Sequence, residues 1–307
     1  MSSHPPEVWI GFTVLVAGLL ALDLGVLNRQ SHVLGMREAM RWSAGLVSLA
    51  LLFGGFLWIR EGAQHALEYY TGYLVELSMS VDNLFVFIVI FQYFAVPASL
   101  QPRVLKWGIL GAIIMRAIMI GAGALLLARF HWIIYVFGGI LILTAIKMLR
   151  QREERLNIEH NPLVQLARRV LPFTPAYDGQ RFFTRSHRGL MATPLLLVLL
   201  VVEWSDLIFA IDSIPAIFAI TQDPFIVYSS NVFAILGLRA LFFVLAGAMD
   251  KFSHLKIGVA MILLLIGLKM IAASWITIPT IYSLLGIAAI LATAIVTSLL
   301  KNRMKAA

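Results

Sequence analysis

The sequence contains no cysteine and few charged residues. Without cysteine, the chain has no disulfide, no thiolate metal site and no cysteine nucleophile. Only 13% of the 307 residues are charged, whereas soluble domains have about 25%. Hydrophobic residues make up 60% of the chain, and the mean hydropathy is +0.89. An ordinary soluble domain is therefore excluded, and the composition predicts an all-α polytopic membrane protein.

Apolar segments long enough to cross a bilayer follow one another along the whole chain. A helical crossing needs about 20 residues. The first segment lacks a preceding basic residue and a clear small-residue cleavage site, so we expect no cleaved signal peptide. We predict about nine transmembrane helices in a single membrane domain spanning residues 1–307. The nine segments lie near residues 8–27, 42–59, 67–94, 104–128, 131–149, 190–220, 229–248, 256–275 and 279–300.

The lysines and arginines indicate how the chain is oriented. If the N-terminus lies outside, the inner connections and the C-terminus hold eighteen of them, and the outer connections hold only Arg60 and Arg129. Since these residues accumulate on the cytoplasmic side, we expect the N-terminus outside and the C-terminus in the cytoplasm. The net charge of +8 then reflects topology rather than nucleic-acid binding.

Only one connection is long, and we predict that residues 150–188 form a basic cytoplasmic loop. It contains an amphipathic run at residues 163–171, bounded by two prolines. Such a run predicts a short surface helix that lies against lipid headgroups. Docking of a partner or regulator is the alternative interpretation.

The third to fifth segments resemble the sixth to eighth, which indicates an internal repeat. Glu76 and Asp82 stand six residues apart, as do Asp206 and Asp212. An arginine and a lysine follow in both halves, and the acid, the arginine and the lysine recur at offsets of 130, 123 and 122 residues. Three crossings per repeat give the two halves opposite orientations. We therefore predict two inverted three-helix repeats, a common transporter plan, over residues 67–149 and 190–275.

Carboxylates in the middle of membrane helices are costly, so their presence predicts a functional site. They occur in two stretches, residues 76–83 and 203–213. Carboxylate, amide and hydroxyl oxygens are hard ligands, which suit Mg²⁺, Ca²⁺ and Mn²⁺ better than zinc or copper. Met79 is either a packing residue or a soft ligand that would favour Mn²⁺. The predicted metal ligands are Glu76, Asp82, Asn83, Glu203, Asp206 and Asp212.

The acids within the apolar segments outnumber the bases. Six acids, including Asp23, stand against four bases, and the excess of two negative charges matches one divalent cation or two protons. Ion pairs between helices would leave acids over. We interpret the bases as structural or coupling counter-ions, although the two lysines could instead extend toward headgroups. Together with Asp23, the four bases form the predicted set of structural or coupling counter-ions: Asp23, Arg116, Arg239, Lys147 and Lys269.

A single site can gather all the acids only if the helices unwind. Residues six apart on a regular helix point about 120° away from each other. Glu76 and Asn83 therefore share a helix face that excludes Asp82, and Asp212 is likewise separated from Asp206. Because Pro215 cannot donate a backbone hydrogen bond, we expect the sixth segment to unwind near it.

Two runs carry a specific resemblance: VEWSDLIFAIDSIPAIFAI at residues 202–220 and SNVFAILGLRA at residues 230–240. Together with DPF at 223–225, SVDN at 80–83 and LDLG at 22–25, they closely resemble the TerC family of integral membrane proteins, in particular its Alx-like branch. The resemblance covers the chain from the first segment to the last. It implies a bacterial inner-membrane protein tied to manganese export, in which the intramembrane acids handle the metal. The resemblance also adds Asn231 as a metal ligand.

From the residues and the resemblance together, we predict a transporter that exports a divalent cation, with Mn²⁺ as the favoured cargo. One repeat would rock against the other around the acids. Exchange for protons is a further hypothesis, because metal binding displaces protons from its ligands. The cation and the lipid bilayer are the expected partners. We expect no cofactor, no nucleic acid and no enzymatic activity.

Three other functions compete with this prediction. A metal-binding membrane scaffold or regulator without transport is compatible with the basic loop. An intramembrane aspartyl protease would use the pair Asp82 and Asp212, but neither stretch has a Gly-x-Gly-Asp sequence. An oxyanion carrier would depend on Arg116 and Arg239, and the excess of acids argues against it.

Overall fold

A computed structural model describes residues 4–22, 35–130, 132–150, 164–165, 169–186, 189–246, 255–272, 276 and 279–306. The principal helices are α1 (Pro6–Ala21), α2 (Met36–Glu61), α3 (Ala63–Tyr93), α4 (Gln101–Arg129), α5 (Ile133–Arg150), α6 (Pro194–Phe218), α7 (Pro224–Leu236), α8 (Leu238–Ala246), α9 (Leu255–Ala272) and α10 (Thr280–Ala306). Strands β1 (Phe183–Ser186) and β2 (Gly189–Ala192) pair antiparallel, with Phe183 opposite Ala192. Asp23 lies outside the described residues.

Several helices are long and apolar enough to cross a membrane. Within the described ranges five meet this condition by length and composition, namely α2, α3, α4, α6 and α10, and the bent pair α7–α8 makes a sixth if counted as one span. Helices α1 and α9 are shorter and also apolar. Each predicted segment overlaps a helix, but nine crossings in an inverted arrangement stay a prediction.

The outer faces of these helices are apolar. Leu52 is 71% exposed, Ile59 86% and Leu125 73%. Each exposed leucine or isoleucine forgoes about 1.5–3 kcal/mol that burial away from water would provide. An extended apolar surface of this kind belongs against lipid, so the chain is an integral membrane protein.

Helix α3 lies at the centre of the bundle. It is the most buried of the candidate spans, and it packs against α2, α6, α7 and α10. The turn before it consists of Gly62 alone, whose φ of +96° is disfavoured for residues with a side chain. Helix α6 packs on α3, and α4 packs on both α6 and α7. This arrangement brings the two acidic stretches together beside α4.

The predicted unwinding at Pro215 was wrong. Helix α6 continues through Pro215 to Phe218, and the next backbone hydrogen bond runs from the Ala219 amide to the Pro215 carbonyl. Pro215 lies in the last turn, where few intrahelical bonds follow, so the bond that it removes does not end the helix. The break occurs in the following predicted segment, where Gly237 separates α7 from α8 with a bend of 41°.

The connection before α6 is partly folded onto the bundle. The Tyr177 hydroxyl donates to the Phe94 carbonyl at 2.8 Å, and the Arg103 guanidinium lies 5.4 Å from the Phe182 ring centroid. The sixth predicted segment therefore begins later than expected, because its first residues belong to the hairpin. Pro194 then opens α6 at a position where a missing amide hydrogen costs little. Of the predicted surface helix at 163–171, residues 164–165 and 169–171 are described, and 164–165 and 169–170 are helical.

Candidate functional site

A buried arginine on α4 connects the two acidic stretches. Arg116 is 1% exposed, and its Nη1 donates to the Glu76 carboxylate of α3 and, at 3.2 Å, to Ser213 Oγ of α6. Its Nη2 and Nε donate to the two Asp206 oxygens of α6, at 3.3 and 3.5 Å. Arg116 therefore holds acids from both predicted repeats at once.

Asn83 adds a second link between α3 and α6. Its Nδ2 donates to Asp206 Oδ1 at 3.4 Å, and the side chain is 1% exposed. Glu76, Ser80 and Asn83 are three buried polar residues spaced four and three apart on α3, so they share one helix face. This face is the one that the sequence predicted.

The same face of α3 carries oxygens that lack hydrogen-bond partners. Within the part of the chain that the structure describes, Glu76 Oε2, Ser80 Oγ and Asn83 Oδ1 are buried without a hydrogen-bond partner. Nearly all buried polar atoms in folded proteins have a partner. Three unpaired oxygens within two helical turns therefore mark a place that can accept a donor or a cation.

The cluster also carries excess negative charge. Glu76 is fully buried and Asp206 is 2% exposed, while Arg116 supplies one positive charge against these two carboxylates. One formal negative charge therefore remains in a site shielded from water, where charge is costly unless it is compensated. A cation entering the cluster would compensate it.

The other acids of α6 face different neighbours. Glu203 lies against Gly111 of α4, where a Cβ atom would overlap its carboxylate, and with Asp206 it lines a narrow cavity between α4 and α6. Asp212 accepts a hydrogen bond from Thr144 of α5 at 2.9 Å. Because the helix stays regular, each residue turns about 100° from the one before, and these acids point away from one another.

Some predicted site residues lie apart from this cluster or outside the described part of the chain. Asn231 of α7 is fully buried, and neither polar atom of its amide has a hydrogen-bond partner among the described residues. Arg239 is buried near the start of α8. The side chain of Asp82 and all of Asp23 lie outside what the structure describes.

The two lysines and Met79 also lie outside the cluster. Lys147 is exposed in the last turn of α5, and the Lys269 ammonium donates to Ser283 of α10 at 2.9 Å. Met79 is 5% exposed in an apolar cluster that includes Val75, so it packs among hydrocarbon side chains.

No group of three histidine, aspartate or glutamate side chains in the described residues is arranged to hold a metal ion. The reason is visible at the centre of the cluster, where the guanidinium of Arg116 lies between Glu76 and Asp206. Glu203 and Asp212 meanwhile contact α4 and α5. Binding of a cation by these acids therefore requires Arg116 to move.

Three residues that contact the acids of the site were not predicted from the sequence. Ser213 lies seven residues after Asp206, which is two helical turns along the same face, so its spacing could have identified it. Thr144 is an isolated hydroxyl in an apolar helix, three residues before Lys147. Gly111 carries no sequence signal, because only the packing of α4 on α6 brings it to Glu203.

Comparison with known proteins gives a consistent picture. The profile described as "Integral membrane protein TerC family" matches residues 61–306. An "Uncharacterized membrane protein STKORF319" of Myxococcus xanthus is 54% identical over 97% of this chain and 93% of its own length. The "Putative membrane-bound redox modulator Alx" of Escherichia coli K12 is 49% identical over 91% of this chain and 90% of its own length. No solved structure matches the chain.

Proposed function

The chain belongs to the TerC family of integral membrane proteins, and we propose that it is a transporter that exports a divalent cation, with Mn²⁺ as the preferred cargo. It acts as a carrier rather than an enzyme, and it lies in the bacterial inner membrane with its N-terminus outside and its C-terminus in the cytoplasm. The charge distribution of the connections supports this orientation.

The observation that carries the proposal is the buried acidic cluster with its unpaired oxygens. Glu76 and Asp206 supply carboxylates, and Ser80, Asn83 and Ser213 supply neutral oxygens, all of them 3% exposed or less. Such a set suits hard divalent cations. An ion pair with Arg116 requires only one buried carboxylate. This site has two, so one carboxylate is not needed for that ion pair.

The preference for Mn²⁺ within that class rests on the family resemblance of residues 202–220. The name of the Escherichia coli relative, a putative redox modulator, fits a cargo that has more than one oxidation state. This chain has no cysteine and therefore cannot carry out dithiol exchange. An effect on redox balance through the transported ion is compatible with the absence of cysteine.

The packing of the helices supports alternating access by two inverted repeats. If α3, α4 and α5 correspond to α6, α7–α8 and α9, two of the contacts have a matching one: α3 packs on α7 as α6 packs on α4, and α5 packs on α6 as α9 packs on α3. Helices α5 and α9 approach closely at two glycines. A Cβ at Gly138 would lie 3.1 Å from the Gly267 carbonyl oxygen, and one at Gly267 would lie 2.9 Å from that of Gly138.

The test is cation uptake into inside-out proteoliposomes, in which export appears as accumulation. Mn²⁺, Ca²⁺ and Mg²⁺ are compared for the parent protein and for Glu76→Gln and Asp206→Asn. Asp178→Asn is the matched control, since Asp178 pairs only at an exposed surface, 3.7 Å from Arg181. We expect the parent and the control to accumulate Mn²⁺, and both site variants to lose at least tenfold in rate. Failure of a folded parent to accumulate any of the three cations would overturn the proposal.

One observation favours the alternative of a metal-binding scaffold without transport. Arg116 already compensates part of the cluster, as it would if the acids served only to hold helices together. The same vesicle measurement separates the two functions. A scaffold would bind Mn²⁺ at the membrane without accumulating it inside the vesicle. Adding an ionophore that carries Mn²⁺ would then release no Mn²⁺ from the vesicle interior.

A further inference from the structure

Arg116 is placed where a cation would bind. Three of its nitrogens contact Glu76, Asp206 and Ser213, which come from two different helices, α3 and α6. The guanidinium is therefore a positive charge within the acidic cluster and attached to the protein through a flexible side chain. It forms the positive part of the site in this arrangement.

The guanidinium satisfies only some of the oxygens around it. Arginine donates in one plane, and Glu76 Oε2, Ser80 Oγ and Asn83 Oδ1 remain buried without partners. Divalent cations such as Ca²⁺ and Mg²⁺ take six or more oxygen ligands arranged in three dimensions. A metal ion could therefore use oxygens of the cluster that the guanidinium leaves without a partner.

Arg116 and a divalent cation compete for the same two carboxylates. With Arg116 alone, Glu76 and Asp206 carry one excess negative charge, and with a divalent cation alone they are neutral. With both present, the two acids would face three positive charges, and two cations would lie close together where water screens them poorly. Entry of the cargo therefore favours displacement of the guanidinium from these two acids.

A second position for the guanidinium lies along α4. Gly108, Ala112 and Arg116 are spaced four apart and share one face of the helix, and helical side chains lean toward the N-terminus. Gly108 and Ala112 line the narrow cavity next to Glu203 and Asp206. One helical turn is about 5.4 Å, which is within the reach of an arginine side chain. The cavity has a volume of about 10 Å³, room for no more than one water, so a shift of the guanidinium toward the Glu203 carboxylate requires α4 and α6 to separate there.

We propose that Arg116 is a tethered cation that competes with the cargo for Glu76 and Asp206, and that Glu203 receives its guanidinium when the cargo is bound. This inference rests on the proposed transport function and specifies how the same site is regulated. In the return step without cargo, Arg116 compensates the two acids, so the protein can change conformation without an uncompensated pair of buried charges. Loss of Arg116 should therefore impair return of the unloaded carrier more than it impairs binding.

The first test measures Mn²⁺ binding and flux for Arg116→Gln, with Arg129→Gln as the matched control at the exposed end of the same helix. If the guanidinium occupies the acids about nine-tenths of the time, its removal tightens the apparent Mn²⁺ affinity about tenfold. Net accumulation in proteoliposomes should fall at least tenfold, while exchange of labelled for unlabelled Mn²⁺ continues. A purely structural Arg116 would instead give weaker binding and equal loss of net flux and exchange.

The second test asks whether Glu203 acts through Arg116. Glu203→Gln should weaken Mn²⁺ binding several-fold in the parent, because the expelled guanidinium loses its counter-ion. In the Arg116→Gln background the same change should have no effect on binding, since the competitor is already absent. Equal weakening in both backgrounds would make Glu203 a direct ligand and would overturn its proposed role.

These measurements keep the inference separate from the proposed function. A parent that binds and transports Mn²⁺, together with an Arg116→Gln variant that binds it more weakly, sinks the tethered-cation mechanism and leaves the transporter intact. If Arg116→Gln does not fold, Arg116→Lys serves instead, because lysine keeps the charge but lacks the fork that holds two acids at once. It should tighten Mn²⁺ binding by a smaller factor, and unchanged or weaker binding would refute the mechanism.

Discussion

Replacing Arg116 by glutamine removes the positive charge that Glu76 and Asp206 share. Both carboxylates are 2% exposed or less, so neither can recover the lost interaction from water. Breaking a buried ion pair by removing one partner costs about 3–5 kcal/mol. At roughly 2 °C per kcal/mol for a chain of this size, the apparent Tm should fall by about 6–10 °C.

Added Mn²⁺ should restore much of this loss, because the ion compensates the same two carboxylates. A ligand at 100 times its Kd stabilises the form that binds it by about 2.7 kcal/mol. The assay is thermal unfolding in detergent with and without Mn²⁺, and the Arg129→Gln variant controls for loss of a surface charge on α4. Mg²⁺ at the same concentration tests selectivity.

Two results would refute this reasoning. An Arg116→Gln variant as stable as the parent would mean that the acids do not depend on the guanidinium for compensation. A destabilised variant that Mn²⁺ fails to stabilise, while the parent responds, would mean that the ion binds elsewhere.

The remaining predictions concern Asp206, Gly111 and Tyr177. Asp206→Asn should change stability by less than about 2 kcal/mol, because one remaining acid then faces one guanidinium, yet it should abolish the Tm increase caused by Mn²⁺; a large loss without metal would contradict this. Gly111→Ala should lower the unfolding free energy by about 1–3 kcal/mol and slow transport, since its new methyl group overlaps Glu203, whereas Gly121→Ala on the same helix meets open space and should be neutral or slightly stabilising. Tyr177→Phe should cost about 0.5–1.5 kcal/mol, because it removes a hydrogen bond to the end of α3, and limited proteolysis of the connection before α6 should become faster; unchanged cleavage would show that this contact does not hold it.

The sequence predicted the class of protein and its family. Apolar length alone indicated the helices, because the spacing of hydrophobic residues and the absence of charge are local properties. The family resemblance was confirmed over residues 61–306. The shared face of Glu76 and Asn83 was also predictable, since it depends only on helical periodicity.

Other features could not be read from the chain. The break in the seventh segment was missed because a single glycine, Gly237, interrupts an otherwise helical pattern. The expected unwinding at Pro215 did not occur, because its position in the last turn of α6 limits the effect of the missing amide. The β-hairpin before α6 has two short strands of mixed polar and apolar residues, and such a sequence resembles a loop.

The sequence by itself determined that costly carboxylates recur in two membrane helices at matching positions, and that acids exceed bases. It could not determine which carboxylates meet, because each charge on a helix faces a direction set by the packing of its neighbours. Only the tertiary structure brought Arg116 between Glu76 and Asp206 while turning Asp212 toward Thr144 on α5. The physical reason is that helical periodicity fixes which residues share a face, whereas the buried partners of that face come from helices distant in the sequence.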